Sequence, residues 1–320
     1  MTRRQLGPST ISVSTVAMGC WPIAGVTSLD VTPEHSLRTI EAALDSGINF
    51  FDTAYAYGCE GESERLIGAA ITGKRDQVVI ATKGGLHRDG RAQKHDARRE
   101  TLHRQCEESL QRLGTDYIDL FYLHAPDPQV PVAESAGAIL ELIQLGKVRA
   151  AGASNLSTAQ LDEFASICPL TAVQPHYNML QRDIEADILP WCRERSVAVC
   201  VYWPLMKGFL AGRLTRDHHF PEEDGRNKYP MFQGLEWQKN HDFLDEIRSI
   251  ASEIGVELSQ LVIAWTIQQP GITAALCGAK RDWQIRETAA AMSVRLSDET
   301  LARIQAAILR RGQTTSKSAV

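Results

Sequence analysis

Short runs of apolar and β-branched residues alternate along the chain with longer stretches whose apolar positions recur at helical spacing. An amphipathic helix repeats its apolar positions every ~3.6 residues, whereas a strand buried on both faces is a short continuous apolar run. The short runs predict eight strands, at residues 14–18, 48–52, 78–82, 117–123, 147–152, 171–174, 197–201 and 273–277. The longer stretches predict helices near residues 34–46, 62–72, 98–113, 132–145, 158–167, 185–195, 243–268 and 282–291.

This alternation predicts the fold class. Eight strands, each followed by a helix, predict an α/β protein with the (β/α)8 TIM-barrel fold, and a doubly wound sheet is the alternative. Two additions are expected: an N-terminal β-hairpin over residues 3–13 that closes the barrel bottom, and a long functional loop over residues 203–241 after strand seven. Glycine favours the position just after a helix, and four glycines stand there: Gly47, Gly73, Gly114 and Gly146.

The composition is that of an ordinary globular protein, with 43% hydrophobic and 23% charged residues among 320. We expect a single domain over residues 1–320, with a disordered tail over about 311–320. The net charge of −5 gives no support for binding to nucleic acid or to an acidic membrane surface. Residues 1–10 lack a secretory-signal core, no apolar run reaches the ~18 residues of a membrane span, and the seven cysteines form no CxxC pair. We therefore expect a reduced, cytoplasmic protein.

Several familiar ligand motifs are incomplete or missing. The stretch from Gly68 to Arg75 resembles a phosphate-binding P-loop, but its last position lacks the Ser or Thr that binds magnesium, and it follows a helix rather than a strand. The sequence contains no GxGxxG fingerprint of a Rossmann site and no HExxH motif, and His218-His219 is expected to be a solvated pair. We therefore predict no metal site, and a dinucleotide would have to bind by another route.

Polar side chains follow the C-terminal ends of consecutive predicted strands, and in a barrel these ends meet at one mouth. Asp52 ends strand two and Tyr57 comes five residues later, while Lys83 and His124 follow strands three and four. Taken singly, these residues have ordinary explanations as a helix cap, a loop aromatic, a surface lysine and a core histidine. Their occurrence in consecutive loops favours a catalytic site.

These four residue types suit the reduction of a carbonyl group by hydride. Negative charge develops on the substrate oxygen, which then needs a proton, and Tyr57 is the predicted donor. A free tyrosine has a pKa of about 10, and we expect the ammonium group of Lys83 to lower it. Asp52 would keep Lys83 charged and in position, and His124 would hydrogen-bond the substrate oxygen.

The motifs around these residues resemble the aldo-keto reductase family, in order from about residue 5 to 310. The matching segments are Asp52-Thr-Ala-Tyr-Ala-Tyr57-Gly58, residues 61–68, Ala81-Thr82-Lys83, Leu120-Phe-Tyr-Leu-His124, residues 146–149, residues 152–155, Val173-Gln174, Tyr177-Asn178, and Pro204-Leu205 with residues 208–212. The resemblance implies that Tyr57 is the general acid, that Lys83 and Asp52 tune it, and that His124 positions the carbonyl group. It also implies NADPH/NADP+ as the cofactor and a small carbonyl compound as the substrate.

The resemblance also assigns cofactor contacts position by position. Those expected along the nicotinamide and pyrophosphate are Gly19, Cys20, Ser154, Asn155, Gln174, Tyr202, Leu205 and Gly208, with Tyr202 stacked on the ring. Those expected at the adenosine end are Gly278, Lys280, Arg281, Gln284, Glu287 and Thr288. Lys280 and Arg281 would neutralise a 2′-phosphate, which favours NADPH over NADH, unless both are simply solvated charges at a helix start. Thr288 departs from the family pattern, which usually has asparagine there.

Aromatic residues on the mouth loops predict an apolar substrate pocket. Its expected members are Trp21, Tyr55, His87 and Trp203, with Met206 and Phe209. We expect aromatic or medium-chain aldehydes and ketones to be preferred over highly polar sugars. Two other functions stay open: an NADP-dependent alcohol or aldose dehydrogenase using the same site, and a non-catalytic NADPH-binding regulatory subunit like the potassium-channel β subunits that share this fold.

Overall fold

The computed structural model describes residues 3–25, 30–89, 92–312 and 314. The strands in these ranges are β1 (Arg3–Gln5), β2 (Ser12–Ser14), β3 (Val16–Gly19), β4 (Phe50–Asp52), β5 (Val79–Gly84), β6 (Leu86–Asp89), β7 (Ala92–His95), β8 (Leu120–Leu123), β9 (Ala151–Ser154), β10 (Leu170–Gln174), β11 (Ala198–Val201) and β12 (Ala274–Gly278). The α-helices are α1 (Pro33–Asp45), α2 (Glu62–Ala70), α3 (Arg99–Leu113), α4 (Val132–Gln144), α5 (Thr158–Ile167), α6 (Ile188–Glu194), α7 (Gly234–Glu253), α8 (Leu258–Gln268), α9 (Asp282–Ala290) and α10 (Asp298–Arg311).

Eight of these strands close into a parallel barrel in the order β3, β4, β5, β8, β9, β10, β11 and β12. The predicted (β/α)8 fold class is therefore confirmed. The predicted strands at 117–123 and 147–152 begin earlier than β8 and β9 do, because their first residues meet only through a single bridge between Ile118 and Val148. A second apolar layer packs the outer face of the barrel against the helices.

Large and small side chains share the inside of the barrel. Phe50 and Tyr122 are fully buried there, in one apolar cluster with small residues such as Ala81 and Ala172. Gly152 is needed beside them, because a Cβ atom at this position would meet the Tyr122 ring. The strands are thus packed tightly on both faces, which holds their C-terminal ends in place.

The predicted N-terminal hairpin is present, with β1 antiparallel to β2. Leu6 and Val13 are fully buried in the same cluster as the barrel interior. Gly7 has a φ of 55°, and a Cβ atom there would meet the carbonyl oxygen of Thr171 near the start of β10. The hairpin therefore covers the N-terminal end of the barrel, as expected.

Four regions differ from the predicted pattern. The helix expected at 243–268 is two helices, α7 and α8, because the chain turns at Gly255, whose φ is 71°. Because α7 already begins at Gly234, the irregular segment after β11 is shorter than the predicted 203–241, and it contains three short 3₁₀ turns. The hairpin of β6 and β7 and the last helix, α10, lie outside the predicted elements. The α10 start does carry a local signal, since the Ser297 hydroxyl accepts a hydrogen bond from the Thr300 amide at 3.1 Å.

The four glycines predicted to follow helices do so. Each has a left-handed φ between 63° and 77°: Gly47, Gly73, Gly114 and Gly146. Within the segment expected to be a disordered tail, α10 includes Arg311, and the Thr314 hydroxyl donates to the Leu180 carbonyl at 2.8 Å. Residues 313 and 315–320 of that tail lie outside the described residues. Among the described helices, none alone is long and apolar enough to span a membrane, and α7 with α8, bent by 92°, meets that test only as a pair.

Candidate active site

The C-terminal ends of the barrel strands meet at one mouth and carry the predicted polar residues. Following the barrel from β4 to β12, the residues at or beside these ends are Asp52, Lys83, His124, Ser154, Gln174, Tyr202 and Gly278. Tyr57 lies in the loop between β4 and α2. The fold brings residues distant in the chain into contact here, as shown by the hydrogen bond from Gln174 to Asp52, which are 122 positions apart.

A buried ion pair forms the centre of the site. The Nζ atom of Lys83 lies 2.6 Å from Oδ1 of Asp52 and 2.7 Å from the carbonyl oxygen of Thr53. The other carboxylate oxygen of Asp52 accepts a hydrogen bond from Nε2 of Gln174 at 2.7 Å. Because Asp52 and Lys83 are 2% and 1% exposed, these polar contacts are what makes their burial tolerable. Burial raises the pKa of Asp52 and lowers that of Lys83, and the attraction between the two charges opposes both shifts.

The half-buried Tyr57 phenol stands beside this pair. Its Oη atom lies 3.4 Å from Nζ of Lys83, so one ammonium group contacts both the carboxylate and the phenol. The Tyr57 ring also packs edge-on against Trp21 and His124, with ring centroids 5.0 Å and 5.8 Å away. The four residues predicted to be catalytic, Asp52, Tyr57, Lys83 and His124, therefore form one cluster, called the tetrad below.

One expectation about the tetrad is wrong in this structure. The pKa of Tyr57 is not lowered by Lys83 but raised well above its ordinary value, chiefly by burial, with the charge of Asp52 and the Cys20 sulfur adding to the effect. Burial is the larger cause, and the negative charge of Asp52, which lies closer to Lys83 than Tyr57 does, also disfavours the phenolate. The phenol is consequently protonated at neutral pH.

His124 is a neutral imidazole. Burial lowers its pKa well below its ordinary value, and the positive charge of Lys83 acts in the same direction. Its Nδ1 atom is buried and has no hydrogen-bond partner among the described residues. A neutral imidazole offers one N–H donor and one acceptor, so His124 can hydrogen-bond a ligand at the mouth.

The residues predicted to bind the nicotinamide form a hydrogen-bonded chain across four strand ends. Nδ2 of Asn155 lies 3.0 Å from both Oγ of Ser154 and the carbonyl oxygen of His124. The Ser154 hydroxyl donates to the carbonyl oxygen of Gln174 at 2.8 Å, and the Tyr202 hydroxyl donates to Oδ1 of Asn155 at 2.9 Å. Since Gln174 also contacts Asp52, this chain is continuous with the tetrad.

An aromatic cluster lines the β11 side of the site, and sequence reasoning anticipated only part of it. Trp203 packs edge-on against Tyr202, His176 and Tyr229, with ring centroids 5.5–5.6 Å apart. The Nζ atom of Lys207 lies over the Trp203 ring, 3.9 Å from its centroid. Burial, with the nearby cations Lys228 and Arg226, lowers the pKa of Lys207 to about 8. No sequence motif identified the His176 side chain, and Lys207 was indicated only by its place between Leu205 and Gly208, which were expected along the cofactor.

The segment predicted to line the pyrophosphate path has an unusual backbone. Met206 and Lys207 have left-handed φ values of 46° and 53°, and Gly208 follows with 91°. Gly19 ends β3, and the amide of the following Cys20 donates to the Asp52 carbonyl at 2.8 Å. Met206 is only 1% exposed and Phe209 is fully buried, so both belong to the apolar core rather than to an open pocket.

The residues predicted at the adenosine end cluster around the start of α9. Oε1 of Gln284 accepts hydrogen bonds from the amides of Lys280 and Arg281 at 2.7 Å and 3.2 Å. The Glu287 carboxylate is bound by Arg213 and Ser259, both at 2.5 Å. The hydroxyl of Thr288 points back into its own helix, donating to the carbonyl oxygen of residue 284 at 3.1 Å. Assignment of Glu287 and Thr288 to cofactor contacts stays a prediction.

The predicted substrate residues have different surroundings. Trp21 and Trp203 contact the site directly, whereas the Tyr55 hydroxyl donates to Glu108 on α3 at 2.7 Å. His87 lies on the β6–β7 hairpin, which places the guanidinium group of Arg88 5.0 Å from the Trp21 ring centroid. Arg88 could not have been found from the sequence, because the hairpin itself was not predicted.

The residues at this mouth fit a nicotinamide nucleotide. Ser154, Asn155 and Gln174 supply the donors and acceptors that a carboxamide needs, and the ring of Tyr202 supplies a flat face. The orphaned Nδ1 of His124 marks an unfilled polar position in the same place. By contrast, the described residues contain no group of three or more His, Cys, Asp or Glu side chains arranged to hold a metal ion.

The closed parallel barrel and the acid–base cluster at its mouth define a barrel oxidoreductase. The sequence model of the Aldo/keto reductase family matches residues 15–309, and the chain belongs to this family. It is 38% identical over 278 residues to aldo-keto reductase YhdN of Bacillus subtilis (strain 168), an alignment that covers 86% of this chain and 84% of that protein. It is also 34% identical to the NADH-specific methylglyoxal reductase of Escherichia coli (strain K12), over 97% of this chain and all of that protein.

Solved structures agree with these relationships. The glycerol dehydrogenase AKR11B4 from Gluconobacter oxydans superposes with a TM-score of 0.90 and 34% sequence identity, covering 99% of this chain and 98% of that one. The holo form of aldo-keto reductase AKR11C1 from Bacillus halodurans superposes with a TM-score of 0.81 and 25% identity, covering 96% of each chain. The similarity therefore extends over nearly the whole length of both solved chains.

Proposed function

We propose that this protein reduces aldehydes or ketones to alcohols with NADPH, and that Tyr57 is the general acid. The observation that carries the proposal is the position of the Lys83 ammonium group, 2.6 Å from the Asp52 carboxylate and 3.4 Å from the Tyr57 phenol. This arrangement puts a proton donor and a stabilising cation beside the residues that suit a nicotinamide. It is the arrangement that carbonyl reduction needs.

Each tetrad residue has a distinct task in this mechanism. Bound NADPH supplies the hydride. Tyr57 gives its proton to the substrate oxygen, and its raised pKa keeps that proton in place before the reaction. Lys83 stabilises the phenolate that remains, while Asp52 keeps Lys83 charged and oriented. His124, as a neutral imidazole, donates a hydrogen bond to the carbonyl oxygen and holds it near the phenol.

The preference for NADPH rests on Lys280 and Arg281, two cations at the predicted adenosine end. A 2′-phosphate carries about −1.5 to −2 charges near neutral pH, and paired cations favour it over a hydroxyl group. A relative from Escherichia coli is named as NADH-specific, so NADH is the competing cofactor. Both cofactors therefore belong in the assay.

Oxidation of an alcohol is the second candidate function, favoured by the likeness to a glycerol dehydrogenase. Oxidation uses the same groups in reverse and needs Tyr57 as a phenolate that accepts the alcohol proton. Because one site lowers the barrier in both directions, the cofactor ratio and the substrates present decide which direction prevails. Scattered thiols, six of the seven buried and all unpaired, suit the reducing cytoplasm that we propose as its location.

The substrate class follows from the mouth. Trp21 and Trp203 offer aromatic faces, which support the proposed preference for aromatic and medium-chain carbonyl compounds. The relatives named for methylglyoxal and glycerol point to small polar compounds instead. A screen should therefore include an aromatic aldehyde, a medium-chain ketone, methylglyoxal, glycerol and a free hexose, each with NADPH or NADP+ and with NADH or NAD+. A free hexose turned over far better than the aromatic aldehyde would contradict the proposed preference.

The decisive variant is Tyr57→Phe, which removes the proton donor but no proposed cofactor contact. We expect kcat to fall by at least about 100-fold, the usual contribution of a positioned acid, while the Kd for NADPH stays nearly unchanged. Tyr117→Phe is the matched control. It also removes a phenol hydroxyl, but from a ring that lies against Arg75, far from the mouth. Full activity of Tyr57→Phe would overturn the mechanism. NADPH binding without turnover of any compound in the screen would favour the regulatory-subunit alternative.

A further inference from the structure

One carboxylate contacts both cations at the predicted adenosine end. Asp30 lies just before α1, and its Oδ1 atom is 3.3 Å from Nζ of Lys280. Its Oδ2 atom is 3.1 Å from Nη2 of Arg281, and its backbone carbonyl oxygen accepts a hydrogen bond from the same nitrogen at 2.9 Å. Asp30 therefore already binds the groups that a 2′-phosphate would need.

The two cations are held in position and stay accessible. Their backbone amides bind Oε1 of Gln284, and Nη1 of Arg281 donates to the Lys280 carbonyl at 3.0 Å. The Lys280 and Arg281 side chains keep 40% and 27% of their surface exposed, and Asp30 keeps 63%. An anion from solution can therefore reach both cations, but it meets the carboxylate there.

Asp30 is an anion at neutral pH. Burial by itself would raise the pKa of its carboxyl group, but the charge and hydrogen bond of Lys280, with the charge of Arg281, lower it below its ordinary value. A 2′-phosphate is also an anion, of about −1.5 to −2 near neutral pH. The two anions compete for the same donors and repel each other at contact distance.

A second carboxylate, Asp224 in the loop after β11, also senses the charge of Lys280. Its own oxygens are bound by Arg226, at 2.7 Å to Nη2 and 3.0 Å to Nε. The charge of Asp224 is therefore balanced by Arg226, whereas Asp30 forms its ion pairs directly with Lys280 and Arg281.

We infer that Asp30 is a specificity-determining residue that narrows the preference for NADPH over NADH, by competing with the 2′-phosphate for Lys280 and Arg281. NADH has an uncharged hydroxyl group at that position and escapes this competition. The inference rests on the proposed function, because it requires the adenosine end to lie at these two cations. Its consequence is that two cations after the last barrel strand do not by themselves make the enzyme NADPH-specific.

The test is Asp30→Asn, which keeps the shape of the side chain and removes its charge. Kd values for NADPH and NADH are measured on the full chain by quenching of tryptophan fluorescence, at low and high salt. Charges about 5–6 Å apart in a water-like, partly screened medium predict that the Kd for NADPH falls about threefold to tenfold. The Kd for NADH should stay within about twofold, and the gain for NADPH should shrink at high salt.

Asp45→Asn is the matched control. Asp45 is another exposed aspartate, at the opposite end of α1 from Asp30, and it is paired at 3.2 Å with Arg286 of α9 but contacts neither Lys280 nor Arg281 in the described residues. It should leave both Kd values unchanged. In a Lys280→Ala background, Asp30→Asn should also gain less for NADPH, because one of the two contested cations is gone.

The outcomes separate two failures. If the wild type binds both cofactors but Asp30→Asn leaves their Kd ratio unchanged, shifts both equally or weakens NADPH, the inference about Asp30 is overturned and the proposed function stands. If the wild type binds neither cofactor, the proposed function fails and the inference falls with it. If Asp45→Asn raised the ratio of the Kd for NADH to the Kd for NADPH as much as Asp30→Asn does, the inference about Asp30 would also be overturned. The effect would then come from general surface charge.

Discussion

Removal of Asp52 tests how the buried ion pair is held. Asp52→Ala would leave the Lys83 ammonium group, 1% exposed, without its carboxylate and would leave Nε2 of Gln174 without its acceptor. Breaking a buried pair by deleting one partner costs about 3–5 kcal/mol, and a lost buried acceptor costs about 1–3 kcal/mol. Because the two costs share one cavity and are not additive, we expect a total of about 4 kcal/mol.

The double variant Asp52→Ala/Lys83→Met shows whether this cost comes from the stranded charge. Methionine keeps an unbranched apolar side chain without the ammonium group, so most of the lost stability should return. Urea unfolding followed by circular dichroism measures both free energies of unfolding. A single-variant loss below about 1 kcal/mol, or a double variant no more stable than the single, would refute the reasoning.

The stability of the single variant Asp52→Ala has a predicted pH dependence. Burial already lowers the pKa of Lys83, and loss of Asp52 removes the attraction that opposes this shift. The folded variant then binds its proton less tightly than the unfolded chain does, so its stability rises relative to the wild type as the pH rises toward the unfolded lysine pKa of about 10.4. Asp119→Ala is the control: its partners Arg75 and Arg149 stay charged, so its deficit should not shrink with pH.

Two further predictions concern the site and the barrel. The imidazole of His124 should show no NMR titration midpoint between about pH 6 and 8, because its pKa is lowered well below the ordinary value of 6.5, and a midpoint in that range would contradict the neutral imidazole. Gly152→Ala should destabilise the protein by about 1–3 kcal/mol in urea unfolding, because the added Cβ meets the Tyr122 ring inside the barrel. Gly137→Ala, in helix α4, should be neutral or stabilising, because the added Cβ would make only an ordinary contact, 4.0 Å from the Ile167 side chain. Equal losses at the two positions would argue against tight packing at Gly152.

Periodicity was sufficient for most of the barrel because its strands and helices are regular and separated by glycine stops. Periodicity failed where two helices share one apolar stretch, as at Gly255 between α7 and α8. It also failed where a hairpin is polar, as in β7, whose residues are all exposed. Strand starts were also predicted too early at β8 and β9. Apolar residues before a ladder look the same in the sequence as those within it.

The tetrad could be predicted because barrel topology brings consecutive strand ends together, so chain order alone indicates that Asp52, Lys83 and His124 meet. The direction of the Tyr57 pKa shift could not be predicted, because it depends on how deeply the phenol is buried and on the nearby charge of Asp52. Contacts with no local signal were likewise hidden: Asp30 meets Lys280 across 250 residues. The sequence determines which side chains are present and in what order they occur. The balance between opposing charges depends on distances between atoms, which exist only after folding.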